Sequence, residues 1–255
     1  MIFQKPNTLS IILLITLVSC SFKSISASLS TYRIFLGPEQ SNIKFPLKNN
    51  SIYTEKCNIS FSHQKYGPGA TPVQLSEQEQ KFHVDKVKPW FRFSPRQFEI
   101  APNIWQSVAF NLRRRPNTEP VELRVYASIT CIEQKQTTGL TPVISHNVPM
   151  VIRSHKNGSY QASVSFENIR KQADKISFRL QHNGNRSFVG DIILQDKTGK
   201  TVKMLERNVA LYPEMEYKDF TFGISNADEN GSQIVFKENK SYGGSEIYKF
   251  DLKGE

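Results

Sequence analysis

The sequence predicts an all-β protein built as two β-sandwich domains in tandem, and three observations carry that expectation. Apolar and polar residues alternate through many short segments. Pro, Gly and Asn turn residues separate those segments, and no stretch sustains a helical period. With 255 residues the chain is long enough for two domains of ordinary size.

Residues 1–27 stand outside the predicted fold. Lys5 precedes an apolar run at 11–18, too short to span a bilayer, and Ile25-Ser26-Ala27 follows as a small-residue cleavage site. This is the pattern of a cleaved secretory signal that releases Ser28 as the mature start. A second pattern overlaps it: Leu17-Val18-Ser19-Cys20 resembles the box at which bacterial lipoproteins are cleaved and acylated. The strand pattern begins close to Ser28, which favours an exported product without lipid. Stable membrane insertion is expected only if Cys20 is lipidated.

The first domain is read as 28–153. Strand-like segments lie at 31–36, 41–47, 55–62, 91–93, 97–100, 105–112 and 121–132, with a polar loop opening at Gly67-Pro68-Gly69 and running through Gln80. The last strand, 140–153, reads Leu-Thr-Pro-Val-Ile-Ser-His-Asn-Val-Pro-Met-Val-Ile-Arg. Alternation places Ile144, Val148, Met150 and Ile152 on one face, with His146 among them. A polar, glycine-ended linker follows at 154–158. The second domain, 159–255, repeats the pattern with strands at 159–166, 175–181, 188–195, 200–206, 216–222, 231–237 and 246–252.

Composition bounds the function. The formal charge is +10, but the basic residues are scattered. The one dense run, Arg113-Arg114-Arg115, falls at a turn without interleaved aromatic residues, so no nucleic acid is expected. His63, His83, His146, His155 and His182 lie on unrelated segments with no metal-ligand spacing. There is no Gly-x-Ser-x-Gly elbow and no phosphate-cradling loop. Neither an enzyme nor a cofactor is expected. If Cys20 leaves with the signal, Cys57 and Cys131 remain. In an exported chain such a pair reads as a disulfide, worth about 4 kcal/mol by loop-closure entropy, with two reduced buried thiols as the alternative. No third ligand accompanies them, so no metal is expected.

Four segments in order resemble the PapD-like periplasmic pilus chaperones, with an archaic-branch flavour. Tyr32-Arg33-Ile34-Phe35-Leu36-Gly37, followed by a strand ending Pro46-Leu47-Lys48-Asn49-Asn50, is similar to their opening. The stretch from Phe91-Arg92-Phe93-Ser94-Pro95-Arg96 to Ile100-Ala101-Pro102-Asn103 resembles their Ser-Pro-Arg…Leu-x-Pro-Gly segment. Leu123-Arg124-Val125-Tyr126-Ala127-Ser128-Ile129 fits their long sixth strand, and Val148-Pro149-Met150-Val151-Ile152-Arg153 the ending of their seventh. In the second domain, His182-Asn183-Gly184-Asn185-Arg186 and Val209-Ala210-Leu211-Tyr212-Pro213-Glu214 resemble two further family turns.

The resemblance implies two immunoglobulin-like domains, and neighbouring antiparallel strands that bring Cys57 and Cys131 within bridging reach. It implies a periplasmic chaperone that folds pilin subunits by donor-strand complementation and hands them to an outer-membrane usher. The donor strand would present Leu140, Pro142, Ile144, His146 and Val148 to the client. Arg33 would anchor the client's terminal carboxylate, for which a guanidinium is geometrically suited. The family's second cation is a lysine just before the final apolar run of the strand. This chain has Pro149 there, and Arg153 is the basic neighbour expected to replace it. An exposed donor strand also allows the free protein to self-associate. The alternative from another class is a secreted or lipid-anchored two-domain module serving as an adhesin or structural part.

Overall fold

The computed structural model describes residues 27–252 except positions 30, 114, 116–117, 135–142, 173, 226–227 and 229. Residues 1–26 of the signal segment, Cys20 among them, and Leu140 and Pro142 lie outside the described residues.

The first half contains β1 (Ser28–Leu29), β2 (Ile34–Leu36), β3 (Asn42–Lys48), β4 (Glu55–Ser62), β5 (Lys65–Gly67), β6 (Thr71–Val73), α1 (Glu77–Val87), β7 (Phe91–Ser94), β8 (Gln97–Ile100), β9 (Trp105–Leu112), β10 (Glu122–Glu133) and β11 (Ile144–Arg153). They form a four-stranded sheet, β1-β3-β9-β7, and a five-stranded one, β2-β11-β10-β4-β8. The inward rows meet in one core. Phe45, Val108 and Phe110 come from the first sheet, and Ile59, Val125, Ile129 and Met150 from the second. Burying each such side chain contributes roughly 1.5–3 kcal/mol, which is what selects this register over a one-residue slip. Cys57 and Cys131 are direct partners across β4 and β10 and form a disulfide. The chain leaves β1 in one sheet and enters β2 in the other, where β2 runs parallel to β11.

One part of this half departs from the sequence expectation. The segment predicted as a polar loop through Gln80 folds into the β5–β6 hairpin and then the helix α1. Ser76 caps α1: its Oγ accepts from Glu79 N–H, while the Glu79 carboxylate accepts from Ser76 N–H at 2.8 Å. Only Val84 and Val87 of α1 are buried, and Phe82 is exposed. So narrow an apolar face leaves no helical period in the sequence.

The second half contains β12 (Ala162–Lys171), β13 (Lys175–Gly184), β14 (Phe188–Gln195), β15 (Thr201–Leu211), β16 (Tyr217–Gly223), β17 (Gln233–Glu238) and β18 (Ile247–Asp251). Sheets β12-β13-β16 and β15-β14-β17-β18 enclose a second core that includes Val164, Phe178, Phe188, Ile192, Phe220 and Phe236. Both halves are immunoglobulin-like β-sandwiches. All seven strands predicted here are present, 188–195 end for end as β14 and the other six with shifted ends. The shift that matters is in β15, which runs on to Leu211 and carries Tyr212 to the first half. Gly190 is obligatory in β14, because a Cβ there would lie 2.3 Å from the Lys237 carbonyl oxygen. No helix among the described residues is long and apolar enough to cross a membrane.

Candidate functional site

The candidate site has two parts, an open strand edge and a cleft between the halves. β11 pairs along its full length with β10, from Ile144↔Cys131 to Arg153↔Glu122. On its other side β2 covers only Met150, Val151 and Ile152. Among the described residues no strand pairs with the outer edge from Ile144 to Pro149. An unpaired edge of this kind presents main-chain donors and acceptors to an incoming strand.

The side chains of that segment follow the alternation read from the sequence. Met150 and Ile152 are fully buried and Val148 is 2% exposed, while Ile144 at the outer end of the same row is 37% exposed. Between them His146 is half-buried, its Nε2 3.0 Å from the Ala27 carbonyl oxygen. The opposite face is polar. Asn147 Oδ1 accepts from Ser128 Oγ at 2.7 Å, and the Ser145 and Thr130 hydroxyls meet at 2.9 Å. The apolar row thus begins in the core and runs out past it along the unpaired edge.

Arg33 precedes β2 and points at the second half. Its guanidinium donates to the Tyr212 hydroxyl at 2.9 Å and to the Asn208 carbonyl. Tyr212 also carries a second arginine. The Arg124 guanidinium lies 3.7 Å from the centre of its ring and is flanked by Tyr66 and Tyr126. Arg124 donates to the Tyr126 hydroxyl, to the Gln64 carbonyl and to the Glu214 carboxylate. Burial, reinforced by Tyr212, pushes the Tyr126 phenol well up, so it stays a neutral hydrogen-bonding group. Arg124, Tyr212 and Glu214 border a cleft of about 480 Å³, which Lys65, Lys86, His63 and His83 also line. His63 is held neutral there. Burial, the stacked His83 ring and Arg124 push it down to about 4.

Arg153 has other commitments. Its side chain is 2% exposed and pairs with Glu122 at 2.6 Å, and it also donates to Asn157 Oδ1 and to the Ser187 and Gly243 carbonyls. The expectation that it pairs with Arg33 therefore meets a physical obstacle, because its donors already fasten the two halves. Pro149 faces Tyr126 across β10, on the sheet face that carries Arg124. In the sequence Arg124 stands out only as part of the strand motif 123–129. The alternation of Arg124, Tyr126 and Ser128 against Leu123, Val125 and Ala127 was the available signal for a polar cleft face.

No known family pattern matches the sequence, and no curated protein does. The chain is similar in structure to the CupB2 chaperone of Pseudomonas aeruginosa, with a TM-score of 0.49 at 11% identity over 88% of this chain and 100% of that one. It is similar to the Salmonella enterica SafB chaperone in complex with the SafA pilin, at 0.47 and 13% identity over 90% and 98% of the two chains. A third likeness is to the CsuC–CsuE chaperone–tip adhesion subunit complex from archaic chaperone–usher Csu pili of Acinetobacter baumannii. Its TM-score is 0.46 at 11% identity, over 88% and 97%. All three likenesses are to structures of chaperones, at low identity.

Proposed function

We propose that this protein is a periplasmic chaperone of the chaperone–usher type, which binds a pilin subunit by lending it a β-strand. The observation that carries the reading is the outer edge of β11, which no strand among the described residues pairs with from Ile144 to Pro149, beneath an apolar row that continues the core. A client sandwich lacking one strand needs both of these things: main-chain groups to complete its ladder, and alternate apolar side chains to fill its groove. In this proposal Ile144, His146 and Val148 fill the groove; Leu140 and Pro142, expected from the sequence to join them, lie outside the described residues. Arg33 binds the client's terminal carboxylate, while Arg153 serves as a fastening between the halves. No nucleotide or other cofactor takes part, because the energy comes from strand pairing and burial. Delivery to an outer-membrane usher completes the cycle, with the mature chain starting at Ser28.

The test is co-purification from periplasm of the wild type against Ile144→Asp, with the accompanying proteins identified by mass spectrometry. A pilin-like subunit should accompany the wild type and be lost with the charged variant. If both preparations carry the same partners, strand donation is wrong.

A further inference from the structure

We infer that Glu55 is the proton acceptor through which Cys57 and Cys131 are oxidised, so that the far end of the first half holds a dithiol–disulfide couple with its own base. The inference is independent of the chaperone reading. Alternation puts Glu55 and Cys57 on the inner face of β4 and Cys131 and Glu133 on that of β10, and the register sets acid opposite acid and sulfur opposite sulfur. A Glu55 carboxylate oxygen and the two Sγ atoms all lie within 4.8 Å of one another. Glu55 is 2% exposed, and its Oε2 has no hydrogen-bond partner among the described residues. A buried acceptor left without a donor is costly. In the reduced protein a thiol S–H supplies the missing donor, so this acceptor fits the dithiol and is left over once the disulfide closes.

One charged group faces Glu55. Glu133 does so from β10, its carboxylate accepting from the Ser51 hydroxyl. Asn49, also buried at this end, is neutral. Lys56 and Glu99 are register partners on the outer face of the sheet. The core-facing residues that β3 and β9 send from the opposite sheet are apolar, among them Leu47 and Val108. Arg124 and Arg153 lie at the other end of β10 and β11. Burial and Glu133 raise Glu55 above the ordinary 4.5, which brings it closer to a thiol at about 8.5 and makes it a better base. Cys131 is 8% exposed and Cys57 fully buried, so Cys131 meets the oxidant, a low-molecular-weight disulfide. Its thiol proton passes to Glu55, its thiolate attacks, the reagent's S–S bond breaks, and the departing thiolate takes the proton from Glu55. Glu55 then accepts the Cys57 proton, Cys57 attacks the Cys131 sulfur, and the second reagent thiolate leaves with that proton. Two protein thiols are oxidised, one disulfide is reduced to two thiols, and Glu55 returns as a carboxylate.

The test uses the full mature protein, reduced in urea and returned to native buffer, with near-ultraviolet circular dichroism to establish that each variant has refolded. Closure by glutathione disulfide is followed by alkylation and mass spectrometry for the wild type, Glu55→Gln and Glu133→Gln. At about pH 6 the wild type should close about a hundredfold faster than Glu55→Gln, the scale of general base catalysis. The gap should shrink above about pH 8.5, where the thiols ionise unaided. Glu133→Gln, which removes the other buried acid of this end, should keep most of the wild-type rate. Equal rates for the wild type and Glu55→Gln, or a ratio that stays constant with pH, would overturn the inference. So would a loss in Glu133→Gln as large as that in Glu55→Gln, because any buried charge would then serve. A reduced wild type that fails to refold, or refolds and does not close, overturns it as well: the couple then has no working reduced member.

Discussion

Glu122 and Arg153 are partners on neighbouring strands, and both reach past their sheet to the same residue of the other half, Ser187. Glu122 accepts from the Ser187 N–H at 2.8 Å, while Arg153 donates to the Ser187 carbonyl at 2.7 Å and to Glu122 itself at 2.6 Å. The pair therefore satisfies both main-chain groups of one residue across the junction. Arg153→Met leaves Glu122 buried without its cation, which should cost about 3–5 kcal/mol. Urea unfolding checks this. Glu122→Gln, which keeps an acceptor for Ser187, should cost less.

The disulfide closes a long loop, with Cys57 and Cys131 separated by 74 residues. Replacing both by Ala should lower stability by about 4 kcal/mol through the entropy returned to the unfolded chain. Adding reductant to the wild type should reproduce most of that loss, as seen in denaturant midpoints.

His63 is neutral in the folded protein down to about pH 4, against an ordinary value of 6.5. Its folded value is depressed, so the unfolded chain takes up a proton first as pH falls. Stability should be full above 6.5 and decline as pH drops towards 4. His63→Asn, which can still donate towards the Arg124 carbonyl, should decline less over that window.

Glu55 has the opposite sign. Burial first, and then the charge of Glu133 facing it across β4 and β10, raise its carboxyl above the ordinary 4.5. Its contribution is fully present below that ordinary value and is lost as pH rises through the raised one. Glu55→Gln should therefore be more stable than the wild type near neutrality, with the advantage vanishing in acid. Denaturant midpoints at the two pH values decide it.

The strands were legible in the sequence wherever one face was buried and the other wet. Segments 55–62, 97–100, 105–112 and 188–195 match β4, β8, β9 and β14 end for end, because alternation stops where the core stops. The helix α1 was not legible. Its stability comes from the Ser76–Glu79 capping box and two buried valines, too little apolar surface for a period to show. Within the site, the row Ile144, His146 and Val148 followed from alternation alone, and Arg33 from a family resemblance. Arg124, Tyr212 and Glu214 were hidden for a topological reason: they meet only because β15 runs past its predicted end and turns at Pro213 against the other half. No local pattern encodes a contact between residues 90 positions apart.

The most direct test of strand donation is amide hydrogen exchange of the free protein against its complex with the co-purified subunit. The account predicts new protection on β11 between Ile144 and Pro149, where the outer edge has no strand partner among the described residues, with little change at Met150–Ile152, which β2 already covers. Unchanged exchange between Ile144 and Pro149 in a formed complex would contradict it: the subunit would then be held by some other surface.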